Sequence, residues 1–224
     1  MDFMKLLKSI EELLYEIVSW ALFYPITLWR CLRHPHNMMN YAKTELQDDG
    51  VGRFDDALSP PIFLLLTMFF AYLLQLIVEG PSPPLGGFFD SEQNLLFSRA
   101  VAFSLFPLIL ALRDVRQRGA RVTKQVLKPA FYSQCYATVP FVLALDLALI
   151  VSQHGTTATT IAAILIFLAG LAWYFSVEVA WVESQGETRR LRAILEVAGN
   201  ILLGFAVILA GLTMVALSIM NHAT

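Results

Sequence analysis

The sequence is poor in charge. Only 15% of its 224 residues are Asp, Glu, Lys or Arg, whereas a soluble domain carries about 25%. The formal net charge of -2 lacks the strongly basic balance of a nucleic-acid-binding protein, so no nucleic-acid partner is expected. The mean hydropathy is +0.60. Scarce charge together with long apolar runs is typical of a polytopic membrane protein.

Cysteine and catalytic motifs are scarce too. Cys31 and Cys135 lie far apart in the chain, so neither a disulfide framework nor a cysteine-based metal site is expected. His34 and His36 flank Pro35 without a third ligand nearby, which favours a solvated or headgroup-facing stretch over a metal site. The sequence contains no Walker loop and no HExxH, GxSxG or CxxC pattern, and these are the signatures that would indicate an enzyme. We therefore expect no enzymatic activity, no cofactor and no metal.

Five apolar segments are long enough to cross a hydrocarbon core. They cover residues 62–78, 95–112, 130–151, 159–182 and 194–220. The predicted fold is an all-α bundle of five transmembrane helices (residues 60–224). It follows a cytoplasmic or interfacial region (residues 1–59) with a short helix near 37–46.

The distribution of basic residues predicts the orientation. Of the 16 Lys and Arg, all but Arg99 fall in the N-terminal region, in the loop 113–128 or in the loop 189–192. Short loops rich in Lys and Arg are held on the cytoplasmic side. The N-terminus is therefore expected in the cytoplasm and the C-terminus outside.

The first 29 residues have the pattern of an amphipathic helix. Apolar residues recur at spacings of four and three, and charged or hydroxyl residues take the other face; the apolar series is Phe3, Leu7, Ile10, Leu14, Ile17 and Ala21. The apolar run from Trp20 to Trp29 contains Pro25 and is too short to span a bilayer. We expect a helix lying along the cytoplasmic interface; a helix packed on a partner is the alternative.

Two charged residues lie at similar depth in neighbouring spans. Arg99 and Asp146 are each about five residues from the outer end of their segments. An ion pair between helices is the least costly way to hold both in a membrane, so we expect them to pair. Such a pair either joins two helices or has a transport or catalytic role.

Further polar residues lie in the inner third of the last three spans. They are Ser133, Gln134, Tyr136, Glu178 and Asn200. Their common depth predicts a polar cluster that opens toward the cytoplasm. It is either a set of interhelical hydrogen bonds, worth about 0.6–2 kcal/mol each, or a titratable or substrate-binding site at Glu178.

Small residues mark one face of each of the last two spans. Asn200, Gly204 and Gly211 share a face of the fifth, and Ala163 and Gly170 share a face of the fourth. Small side chains let helix backbones approach closely, so these two spans are expected to pack together.

The layout resembles the Yip family of Rab-interacting membrane proteins and their bacterial relatives. That family has a cytoplasmic N-terminal segment, then five closely spaced spans, with an Asp-Leu-x-Gly-Pro motif before the first. Here the stretch Asp56-Ala57-Leu58-Ser59-Pro60-Pro61 keeps the Asp, Leu and Pro but lacks the Asp–Leu adjacency and the Gly. The segment 131–140, a small and aromatic run ending in Pro140, is similar to the family's third span.

The resemblance implies a role rather than a reaction. Family members act as membrane-traffic adaptors that bind small GTPases and membrane proteins, but GTPase binding is not carried over because residues 56–61 depart from the motif. The helical N-terminus looks more like a bacterial member, which implies the inner membrane. We expect a non-enzymatic, partner-binding or membrane-organising protein whose partners are the lipid bilayer and a membrane protein or a second copy. The alternative is a small permease or channel using Arg99, Asp146 and Glu178.

Overall fold

The described part of the chain is entirely helical. The computed structural model describes residues 3–47, 54–80, 92–186 and 190–222, which contain no strand. The helices are α1 (Phe3–Arg33), α2 (Pro35–Gln47), α3 (Pro60–Glu79), α4 (Glu92–Gln117), α5 (Lys124–Ser152), α6 (Thr157–Gln185) and α7 (Arg190–His222). The predicted all-α fold is confirmed, and α2 covers the short helix expected near 37–46.

Four described helices are long and apolar enough to cross a membrane. They are α3 over Pro60–Val78, α5, α6, and α7 over Arg190–Gly211, so the chain has the character of a multi-pass membrane protein. The remaining predicted span, residues 95–112, lies within α4. That helix holds Pro107 in its interior and is not one of the four.

Helix α5 is the centre of the bundle. It packs against α1, α2, α3, α4 and α6. Its most apolar window is 61% buried, whereas the corresponding window of α6 is only 17% buried. A helix that is apolar on several sides can pack against several neighbours, and the middle of α5 is buried among them.

The glycines of α6 and α7 were expected to bring these two helices together, but they face α5 and α4 instead. The two helices are in contact, but Gly170 faces Ala144 of α5, where an added Cβ would collide. A Cβ at Gly204 would lie 2.9 Å from a ring carbon of Phe106 of α4, and Gly211 faces open space. These glycines therefore seat α6 on α5 and α7 on α4, and they do not form the α6–α7 contact.

Helix α1 is joined to the bundle through its C-terminal half. The Tyr24 hydroxyl lies 3.0 Å from the Thr67 hydroxyl of α3, and the Tyr24 ring is 5.3 Å from the ring of Phe63. Thr27 accepts a hydrogen bond from the Leu58 amide at 3.1 Å. Pro25 lies inside the helix without ending it. The N-terminal half of α1 leaves the bundle with apolar side chains exposed, among them Met4, Leu7, Ile10, Leu13, Leu14, Ile17 and Val18.

Candidate functional site: two groups of buried polar residues

The outer group surrounds a small cavity. Gln75 of α3, Arg99 of α4 and Asp146 of α5 line a cavity of about 100 Å³. Arg99 donates to the Gln75 side-chain oxygen at 2.7 Å. The expected direct ion pair with Asp146 is not among the ion pairs of the described residues. Both charged side chains line the same cavity, but the guanidinium is held by an amide on a third helix.

The inner group contains a buried amide–carboxyl contact. Gln134 Nε2 donates to Glu178 Oε2 at 3.3 Å, and both side chains are fully buried. The other Glu178 oxygen and Gln134 Oε1 are buried without a hydrogen-bond partner. Leaving buried acceptors unpaired is costly. A neutral carboxyl at Glu178 would add an O–H donor, so the pair is chemically suited to hold one proton.

Three other residues expected in this cluster bind elsewhere. Ser133 donates to the Met39 carbonyl of α2 at 2.6 Å. Tyr136 donates to the Leu58 carbonyl, just before α3, at 2.6 Å. Asn200 donates to the carbonyl of Glu196 on its own helix at 2.7 Å. Of the predicted set, Gln134 and Glu178 are therefore the pair joined by a hydrogen bond.

Buried charges extend the inner group beyond that prediction. Arg113 and Asp114 are only 8% and 4% exposed, because α4 continues through them to Gln117. Arg113 pairs with Glu196 of α7 at 3.1 Å, and Trp181 Nε1 of α6 donates to Asp114 Oδ2 at 3.2 Å. The run of basic residues predicts a loop here, whereas the structure places Arg113 and Asp114 in α4. The available signal was Asp114, an acid within a run of basic residues.

Helix α2 covers the same end of the bundle. The Lys43 ammonium lies 4.1 Å from the centre of the Trp181 ring, a cation–π distance. Burial, followed by the nearby Arg118, lowers the pKa of Lys43 to about 8. His36 Nε2 lies 3.0 Å from the Val177 carbonyl of α6, so this histidine is a packing contact and is not a solvated residue. Within the described ranges, no three His, Cys, Asp or Glu side chains are grouped as a metal ion requires.

A polar cavity of about 390 Å³ opens beside these charges. It lies between the ends of α4, α6 and α7, and its polar lining residues are Asp114, Gln117, Arg118, Gln185, Arg192 and Glu196. Arg118 donates to Gln185 at 2.9 Å, and Arg192 pairs with Glu196 at 3.1 Å. Mixed charges that already pair with one another make this cavity a junction between helices.

An aromatic layer separates the two polar groups. Phe141 lies on α5 between Gln134 and Asp146 and stacks on Tyr174 of α6, with ring centroids 5.1 Å apart. Phe106 of α4 meets Phe141 edge to face at 5.5 Å. These rings are buried. These rings therefore form a layer between Gln134 and Asp146, in which the Tyr174 hydroxyl lies 3.4 Å from the Thr138 hydroxyl.

The stretch before α3 that carries the family resemblance is a structural junction. Tyr41 of α2 donates to one Asp56 oxygen, and Arg30 of α1 pairs with the other at 3.1 Å. The Tyr41 hydrogen bond, with Arg30 as a further cause, lowers the pKa of Asp56. Ala57 and Leu58 are buried. Asp56 therefore holds α1 and α2 together, and this contact was not foreseen from the motif.

These features define a class of protein: an all-helical, multi-pass membrane protein with polar groups buried at two depths. Comparison with protein-family models, with curated proteins and with solved structures found no match to the chain. The likeness to the Yip family thus rests on the sequence features given above.

Proposed function

We propose that the protein is a Yip-like, non-enzymatic membrane component that acts by organising the bilayer or by holding a membrane partner. The observation that carries the proposal is α1. Its N-terminal half presents exposed apolar side chains over several turns, while its C-terminal half is fastened to α3 through Tyr24. A solvent-exposed apolar surface of this kind marks a site that binds a membrane or another protein.

The bilayer surface is the cover that fits α1 best. Its polar face carries Lys5, Lys8 and Glu12, and such a two-faced helix lies in the headgroup region with its apolar face toward the acyl chains. In the proposed arrangement α4 also crosses the membrane, which brings the number of spans to five. The end bearing Arg113 and Lys43 faces the cytoplasm of a bacterial inner membrane, as the positive-inside rule requires.

The permease alternative has one observation in its favour. Ionisable groups buried in membrane helices are functional candidates, and Asp146 and Glu178 are both buried. The aromatic layer around Phe141 and Tyr174 argues against it, since a pathway needs continuity. Proton flux into proteoliposomes, followed with an entrapped pH dye, decides between them. Flux that is abolished by Glu178→Gln would replace the proposal with the permease.

The test of the proposal measures how deeply α1 lies in lipid. A fluorophore on Ile10→Cys should be quenched by spin-labelled lipid in reconstituted protein. Leu7→Gln with Leu14→Gln should weaken the quenching, because it removes apolar area from the buried face. The matched control, Lys8→Gln with Glu12→Gln, keeps the net charge and alters the opposite face, so quenching should persist.

Two further outcomes complete this test. If lipid does not quench the label in any variant, α1 is not at the bilayer surface and a surface role is rejected. If it is quenched, the size of reconstituted vesicles separates the two roles. Deformation that depends on Leu7 and Leu14 supports bilayer organisation, and its absence supports partner holding.

A further inference from the structure

A groove runs along the surface of the bundle where α4 meets α5. Its volume is about 650 Å³, within the range of pockets that hold small molecules. Val101, Leu105 and Leu108 of α4 form one wall, and Leu127 and Phe131 of α5 form the other. From Val101 to Leu108 the helix rises about 10 Å. The groove is therefore long and apolar.

Two lysines stand at one end of this groove. Lys124 and Lys128 lie on the first turns of α5, one turn apart, and line the groove. Both are exposed, and neither belongs to an ion pair among the described side chains. The groove has no acidic lining residue. The two positive charges are thus unneutralised at this point.

The start of α5 adds to this positive field. The amino-terminal end of a helix carries a partial positive charge that favours anions. Thr123 precedes the helix and accepts from the Val126 amide. Lys128 also lies 5.5 Å from the Tyr132 ring, so its ammonium is held close to the protein surface.

We propose that this groove binds an anionic glycerophospholipid. Its phosphate would lie against Lys124 and Lys128, and an acyl chain would occupy the groove between α4 and α5. Long apolar walls and an unpaired positive pair at one end match an amphiphile with a negative head. Basic residues at a membrane interface attract anionic lipids in this way. The proposal concerns the bundle itself and does not depend on the role of α1.

The test is native mass spectrometry of the detergent-purified protein with phosphatidylglycerol and, separately, phosphatidylcholine of the same acyl chains. Wild type should retain phosphatidylglycerol more tightly. Lys124→Gln with Lys128→Gln should weaken phosphatidylglycerol binding by about tenfold or more, to the level of phosphatidylcholine. Ser104→Phe should weaken both lipids, because its ring fills the groove while leaving the lysines in place.

The matched control is Arg33→Gln with Arg190→Gln, which removes two exposed basic side chains that do not line the groove. It should bind phosphatidylglycerol as wild type does. Thermal unfolding of each variant checks that the bundle is intact. The proposal is overturned if a stable Lys124, Lys128 double variant keeps its preference, or if the control loses affinity equally. It is also overturned if a stable Ser104→Phe variant binds both lipids as wild type does, since the acyl chain would then not occupy the groove.

Discussion

At the scale of single residues, the buried Arg113 and its partner Glu196 depend on one another. Arg113 is 8% exposed and its carboxylate partner Glu196 is 27% exposed. Removing Glu196 would leave Asp114, 4.0 Å away, as the remaining carboxylate beside the buried guanidinium, and weakening a buried pair costs stability. We expect Glu196→Gln to lower the free energy of unfolding by on the order of 3 kcal/mol, measured by denaturant unfolding in detergent.

The control for that change is a carboxylate of the same helical bundle in a looser pair. Glu183 lies 3.8 Å from Arg190, whose side chain is 82% exposed. Exposed pairs contribute about 0–1 kcal/mol, so Glu183→Gln should change stability little. Equal losses in both variants would show that burial does not set the strength of the Arg113 pair.

Lys43 gives a pH-dependent prediction. Its pKa is about 8 in the folded protein, against an ordinary value of 10.5. Between these two pH values the unfolded chain binds more protons at this site, so the site's contribution to stability rises with pH. Lys43→Met lacks this contribution.

The melting temperature of wild type minus that of Lys43→Met should therefore increase as the pH rises from about 8 to 10.5. Below about 8 the difference should be constant, because both states are then protonated. A difference that falls with pH would mean that the cation–π contact with Trp181 outweighs the burial of the ammonium.

At the scale of elements, the length of the apolar segments predicted the long helices. The position of each residue along its helix predicted the contact between Gln134 and Glu178. Gln134 and Glu178 meet because their depths match and their faces agree. Tyr136 shares that depth, but two residues further along a helix turn the side chain by about 200°, and it reaches Leu58. Depth follows from counting residues, whereas rotation about the helix axis depends on packing that the sequence does not display.

The grouping of Lys43, Arg113 and Trp181 was harder to predict for a related reason. Lys43, Arg113 and Trp181 come from three helices that are distant in sequence, and no spacing rule joins them. Their positions follow from the tertiary packing of α2 across α5 and α6. Asn200 shows the opposite case, since a local bond to its own helix satisfied the side chain.

The seating of α2 can be tested through Ser133. Its hydroxyl donates to the Met39 carbonyl, and losing one such buried bond costs about 1 kcal/mol. Ser133→Ala should therefore speed amide hydrogen exchange across α2. Ser176→Ala is the control, because Ser176 is exposed and donates within its own helix to Trp173. Unchanged exchange in the Ser133 variant would place the hold on α2 elsewhere.

At the scale of the whole molecule, the proposed orientation predicts a labelling pattern. Val122→Cys and His154→Cys lie at opposite ends of α5, and both positions are exposed. The native Cys31 and Cys135 are fully buried, and burial raises the pKa of the Cys31 thiol, so background reaction should be low. In intact cells an impermeant maleimide should label position 154 and spare position 122. The reverse pattern would invert the topology.

The central place of α5 has a consequence for biosynthesis. It follows α1, α2, α3 and α4 in the chain, yet all four pack against it. Until Ser152 has been made, the earlier helices lack their shared partner. Lys43 and Arg113 wait longer still, because their neighbours Trp181 and Glu196 belong to α6 and α7. Nascent chains halted at Val122 should therefore be cut by protease within α2, whereas chains halted after Ser152 should resist. Cellular proteases would then act on this protein mainly during translation, before α5 joins the bundle.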